Sequence, residues 1–192
     1  MPWLVKSEPE EREPGVKVSF SVDDFEAIGV TPWDGVRNPE ACKSMRERMK
    51  IGDLVLFYHS NCKVPGTVIC IALCVVKEGY PDHTAWDPKS KYYDPKSSQE
   101  SPKWYMVDIK FVRRLPHFVP LAFLQHIGAS SALSVSAIPA FMTAEQQQGI
   151  AAMQLLNRQR LSVQFVEPLV YETIVRLGDD GHGWDSISSA SK

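Results

Sequence analysis

From residue 67 to residue 76 the chain is apolar at nearly every position, with Cys70 and Cys74 inside the run. A short continuous apolar segment between turn formers reads as a strand covered on both faces, which demands a sheet with material packed above and below it. This strand is therefore expected at the centre of the sheet. Residues 3–6, 53–59, 104–113 and 160–165 read as four further strands, being short and rich in β-branched or aromatic residues. Helices are expected between them. Ser21 with Asp24 is a capping box before Phe25, and Asn38 followed by Pro39 opens a helix that runs to about Lys50, with Gly52 as its stop. Pro120 and Gly128 bracket another, Thr143 caps a segment to about Asn157, and Pro168 and Gly178 bracket the last.

The 192 residues are 44% hydrophobic and 23% charged, the make-up of one soluble domain. A chain of this size buries roughly 70% of its unfolded surface, so neither disulfides nor a structural metal is needed for stability. The four cysteines include no C-x-x-C pair and are expected as reduced thiols, with no metal and no cofactor. No stretch approaches the roughly 20 apolar residues that span a bilayer, and the start lacks a signal peptide's basic and apolar regions. An intracellular protein without a membrane partner is the expectation. A formal net charge of −2 argues against wholesale polyelectrolyte binding but leaves room for local basic patches.

Three stretches look irregular: residues 8–15, 81–102 and 128–136. The tail 178–192, poor in apolar residues, is expected to be disordered. Residues 81–102 form a loop longer than ordinary connections and carry Trp86, Tyr92 and Tyr93 among four prolines, which suits a functional lid.

Two polar clusters follow apolar segments. In Thr31-Pro32-Trp33-Asp34-Gly35-Val36-Arg37-Asn38 a tryptophan lies in a turn just before a helix start. Its indole offers a stacking face, Asp34 can accept from an amino group, and the helix amides beyond Asn38 attract anions. The structural alternative is a Trp that plugs the core, with Asp34 and Asn38 as turn and cap residues. In Phe57-Tyr58-His59-Ser60-Asn61-Cys62-Lys63 a strand ends among hydrogen-bonding groups. Cys62 with His59 could be read as nucleophile and base, but no third orienting group is identified by spacing. Basic residues outnumber acidic ones in 37–50 and 103–117, whereas the first 26 residues are acidic. Basic segments beside aromatic turns fit phosphate contacts flanking a base-stacking pocket, although charge runs also occur as plain solvated faces.

Four blocks in this order resemble the EVE domain family, its eukaryotic type in particular. They are Trp3-Leu4-Val5-Lys6-Ser7-Glu8-Pro9, the Trp33–Asn38 turn, the Phe57–Lys63 strand end, and Lys103-Trp104-Tyr105-Met106-Val107-Asp108. The resemblance implies a mixed α/β (α+β) fold, a PUA-like pseudo-barrel of about five or six strands with flanking helices, as a single domain over residues 1–177. Readers of methylated adenine of the YTH family share that fold, and their pocket elements are similar to Lys6-Ser7 and to Thr31–Asp34 here. It further implies a non-catalytic module that takes a modified base, methylated or hydroxymethylated cytosine, from DNA or RNA into an aromatic pocket.

On that reading the base pocket comprises Lys6, Ser7, Trp33, Asp34, Asn38, Tyr58, His59, Ser60 and Trp86, with Tyr92 or Tyr93 as substitutes for Trp86 as the second wall. Phosphate contacts fall to Arg37, Lys63, Arg113 and Arg114. The protein is expected to be a monomer, nuclear if its source is eukaryotic. Two readings compete with this one: an enzyme using the same cleft with His59 or Asp34 as acid or base, and a protein-interaction module.

Overall fold

The computed structural model describes residues 1–10, 19–67, 70–71, 73–129 and 138–181. Its frame is a strand pair at the chain's start. β1 (Pro2–Ser7) runs parallel to β3 (Leu54–His59), in register from Pro2 opposite Leu54 to Ser7 opposite His59. Around this pair a mixed sheet is ordered β10 (Val163–Phe165), β1, β3, β6 (Leu73–Pro81), β7 (Tyr105–Lys110), β2 (Val30–Pro32). Two short strands, β4 (Gly66–Thr67) and β9 (Val119–Pro120), extend β3 to one side, and β5 (Cys70–Ile71) pairs with β8 (Arg113–Arg114) in a separate ribbon. The sheet is mixed, as the resemblance implies. The apolar run expected as one strand is divided among β4, β5 and β6, and the side chains of Cys70 and Cys74 lie outside the described residues. β6 nevertheless holds the interior position expected of the run, between β3 and β7.

Both faces of the β1–β3 pair are covered. Because side chains alternate along a strand, Trp3, Val5, Val55 and Phe57 enter one core with Phe25, Trp33, Met45 and Val107, while Leu4, Leu56 and Tyr58 enter a second. That second core is roofed by α3 (Leu121–Ala129), α4 (Ala144–Ala152), α5 (Gln154–Asn157) and α6 (Pro168–Asp180). The first is closed by α1 (Val22–Ile28) and α2 (Pro39–Glu47).

Helix starts sit where the sequence puts them. The Ser21–Asp24 box caps α1, with Asp24 N donating to Ser21 Oγ at 3.2 Å and Ser21 N to Asp24 Oδ2 at 2.8 Å. The Thr143 segment is broken at Met153, whose extended backbone (ψ 136°) separates α4 from α5. The last helix runs past Gly178 to Asp180 and stops at Gly181 in the left-handed region (φ 69°). Most of the expected irregular stretches at 8–15 and 128–136 lie outside the described residues, as does the tail from residue 182. Among the described residues no helix is long and apolar enough to cross a membrane.

Candidate functional site

A cleft of about 740 Å³ opens where the ends of β1 and β2 meet the long 81–102 segment. Its volume falls within the roughly 300–1,000 Å³ of small-ligand pockets. Lys6, Ser7 and Glu8 line it from the end of β1, Phe20 and Ser19 from the residues before α1, and Thr31 to Arg37 from the turn between β2 and α2. Thr84, Ser90, Lys91 and Tyr92 form the facing wall, and Ser162 also lines the cleft.

Trp33 is held by the core. Its amide donates to Val107 O at 2.7 Å, and its ring meets Phe57 edge-on at 5.8 Å and Phe20 at 6.2 Å. Only 8% of the residue is exposed, so it meets the cleft with a small part of a side chain wedged among aromatics. The chain then turns at Gly35, whose φ of 72° favours glycine; a Cβ there would lie 2.5 Å from the Tyr92 ring.

The facing wall is organised by Asp82, whose side chain is fully buried. Its carboxylate accepts from Gly35 N at 3.0 Å, Arg37 Nη1 at 2.7 Å, Thr84 N at 2.9 Å and Thr84 Oγ1 at 2.6 Å. Burial pushes the Asp82 pKa up, but the donors from Arg37, Thr84 and Gly35 outweigh it and hold the group below the usual carboxylate range. Arg37 Nε donates to Tyr92 O at 2.7 Å, which fastens the wall to the turn. Further along, Asp94 accepts from Trp104 Nε1 at 2.7 Å and Lys103 Nζ at 3.2 Å, and its pKa falls to about 2. The 81–102 segment is thus a wall built on two aspartates.

Inside the cleft the Asp34 carboxyl is exposed and makes no hydrogen bond to the described residues. Partial desolvation, then the nearby Asp82 charge, raise its pKa. Lys6 Nζ donates to Gln159 O at 2.7 Å and lies 5.7 Å from the Tyr58 ring centre; desolvation lowers its pKa to about 8. Ser7 Oγ donates to Phe20 O at 2.6 Å. Lys91 is exposed, with Nζ 4.6 Å from the Tyr92 ring centre.

Of the residues singled out from sequence, Lys6, Ser7, Trp33, Asp34 and Arg37 come together in this cleft. Others face elsewhere. Tyr58 is 3% exposed in the second core, because it alternates with Phe57 along β3. His59 Nε2 accepts from Val22 N at 3.2 Å and so anchors α1; desolvation lowers its pKa to about 4. Ser60 Oγ donates to Ser7 O at 3.0 Å. Asn38 Oδ1 takes the Glu40 and Ala41 amides, both at 3.0 Å, so the expected anion site at that helix start is already filled by its own cap. Trp86 packs with Cys42, Ala85 and Trp104, a loop anchor, and Tyr92 is the aromatic of the three that lines the cleft.

The expected phosphate ligands are largely engaged. Arg113 pairs bidentately with Asp179 (2.9 and 3.0 Å), and Arg114 pairs with Asp23 and Glu26. Arg37 is bound to Asp82, whereas Lys63 is exposed. Asp82 is the residue that sequence reasoning missed. The signal was there in Asp82-His83-Thr84, an aspartate two residues before an amide it can cap.

Comparison with known proteins agrees with this architecture. The human thymocyte nuclear protein 1 is 44% identical over 175 residues, covering 88% of this chain and 69% of that protein, and the chicken protein of the same name is 42% identical over 183 residues. A crystal structure of human THYN1 protein in complex with 5-methylcytosine containing DNA matches with a TM-score of 0.78 at 39% identity, covering 93% of this chain and 97% of that chain. A hypothetical protein from Leishmania major matches with a TM-score of 0.74 at 37% identity, covering 94% of this chain and 95% of that chain. The EVE domain model matches residues 2–177, the span that holds both walls of the cleft, and the chain belongs to the EVE domain family.

Proposed function

We propose that this protein is a non-catalytic DNA-binding module that receives a modified cytosine, 5-methylcytosine first among candidates, in the cleft between Trp33 and Tyr92. The observation that carries the reading is the unengaged Asp34 carboxyl beside two aromatic residues in one open cleft. A carboxylate is the acceptor suited to the cytosine N4 amino group, and aromatic faces supply stacking worth about 1–3 kcal/mol per base. The human relative's complex with 5-methylcytosine containing DNA supports the choice of ligand. Stacking roughly offsets the few kcal/mol needed to flip a base, so net affinity rests on edge and phosphate contacts. Lys6, Lys91 and Lys63 are the cations we assign to phosphates, because Arg37, Arg113 and Arg114 are tied to carboxylates.

Chemistry is disfavoured at Cys62 and His59, the nucleophile and base read from the sequence. The Cys62 thiol is pushed up by burial, and His59 accepts from the Val22 amide through Nε2. The names of the relatives support a nuclear location, and we take the active form to be a monomer.

Titrating duplexes that carry one 5-methylcytosine, 5-hydroxymethylcytosine or plain cytosine, with RNA counterparts, tests the proposal. Wild-type protein should prefer a modified cytosine, and Asp34→Ala, at an exposed position, should weaken binding of every cytosine duplex without unfolding the protein. Unchanged binding by both Asp34→Ala and Tyr92→Ala would sink the pocket assignment. Nucleosides recovered after incubation should be chemically unaltered.

A further inference from the structure

Arg37 looks, from sequence, like a phosphate ligand, yet the geometry around it describes a different role. Its guanidinium donates through Nε to Tyr92 O at 2.7 Å, through Nη1 to Asp82 Oδ2 at 2.7 Å and Val36 O at 3.3 Å, and through Nη2 to Thr84 Oγ1 at 3.1 Å. A guanidinium offers five N–H donors, so little of its fork is left to meet a phosphate. The group is also packed between aromatic rings, 5.7 Å from the centres of both Tyr92 and Trp104. Its side chain is 22% exposed, and that of Asp82 is wholly buried.

The groups gathered here belong to the two lips of the cleft. Gly35 N comes from the Trp33 turn; Thr84 N, Thr84 Oγ1 and Tyr92 O come from the opposite wall. One ion pair therefore joins three separate pieces of chain. We propose that Arg37 and Asp82 form a clasp that sets the spacing of the cleft walls before ligand arrives, with Arg37 a positioning residue and not a phosphate contact. The role in ligand binding rests on the reading of the cleft as a modified-base site; the role in holding the walls does not.

The clasp restrains two loops that meet across a gap, and a site on loops loses its geometry when its supporting contacts go. Removing one partner also leaves the other's charge partly buried and unpaired. Arg37→Gln and Asp82→Asn test this in the full-length chain, with Arg37→Lys as the milder variant that keeps the charge but loses the fork. In the free protein, amide exchange at Gly35 and Thr84 should quicken in every variant, while Leu56 in β3 keeps wild-type protection. Wild-type exchange at Gly35 and Thr84 in Asp82→Asn overturns the clasp, whatever the ligand proves to be.

Binding then separates positioning from phosphate contact. Affinity for a 5-methylcytosine duplex should fall at least about tenfold in Arg37→Gln, and the preference over plain cytosine should shrink. The slope of log affinity against log salt should stay at the wild-type value. Loss of a phosphate contact instead makes that slope shallower by about 0.9 for duplex DNA, the change expected of Lys91→Gln. A slope change of that size in Arg37→Gln assigns Arg37 to phosphate and overturns the proposal. If wild-type protein shows no preference among the duplexes, the modified-base reading fails, and the exchange result still decides the clasp.

Discussion

The two walls of the cleft are built by opposite means. Trp33 stands on the core: its ring is wedged against Phe20 and Phe57, and its backbone is bonded to β7 through Val107. Tyr92 stands on a loop, and what fixes it is polar, a buried Asp82 bonded to Gly35, Arg37 and Thr84, with Arg37 reaching Tyr92 O. One wall is held by non-directional apolar burial, and the other by hydrogen bonds of set length and angle. A loop wall can vary in sequence and shape while the sheet wall stays put, provided its anchoring groups remain.

The sharpest break of the comparison is truncation of each wall's ring. Trp33→Ala should lower folding stability by about 3–5 kcal/mol, read by denaturant unfolding, because it empties a site in the main core. Tyr92→Ala should cost under about 1.5 kcal/mol in the same assay. It should, however, weaken binding of the modified oligonucleotide by about 1–3 kcal/mol. Comparable stability losses at the two positions would contradict the division drawn here. The turn where the two walls touch comes next. Gly35→Ala places a Cβ 2.5 Å from Tyr92 at a φ of 72°, and should cost about 1–3 kcal/mol with a lowered unfolding midpoint.

Two pH effects follow, both smaller. His59 must be neutral at Nε2 to accept from Val22 N, and its folded pKa, about 4, lies below its ordinary value of 6.5. The unfolded chain therefore binds a proton that the native state does not, and stability falls as pH drops from 6.5 toward 4. We expect a loss of about 1–2 kcal/mol after allowance for solvent screening, and a flatter acid limb in His59→Gln. Lys6 has the same sign in a higher pH range. Its pKa of about 8 lies below the ordinary 10.5, so the folded state sheds its proton first, and stability should rise slightly between those values. Oligonucleotide affinity should decline about two- to fivefold as pH passes through 8, and Lys6→Arg should remove that decline.

Much of the frame was legible because it rests on local rules. The Ser21–Asp24 box, the Asn38-Pro39 start and the Thr143 cap are short-range hydrogen-bond patterns, and each appears at the residue that encodes it. β2 was invisible, since Val30-Thr31-Pro32 is only three residues long and ends in a proline, and it exists because β7 is there to pair with it. Nor could the division of residues 67–76 among three strands be read from a run that is apolar at nearly every position.

The cleft divides along the same line. The sequence by itself determined the turn chemistry of Trp33 to Asn38, the polar end of β3 and the presence of aromatics in an overlong loop, because these depend on neighbours one to four residues apart. Only the tertiary structure decided which groups face the cleft. It turned Tyr58 into the second core by strand alternation, gave His59 to α1, sent Trp86 to a loop anchor and chose Tyr92 for the wall. It also paired Arg37, Arg113 and Arg114 with acids 45, 66, and 88 to 91 residues distant. An ion pair depends on where two chains of residues meet in space, and no local pattern carries that distance.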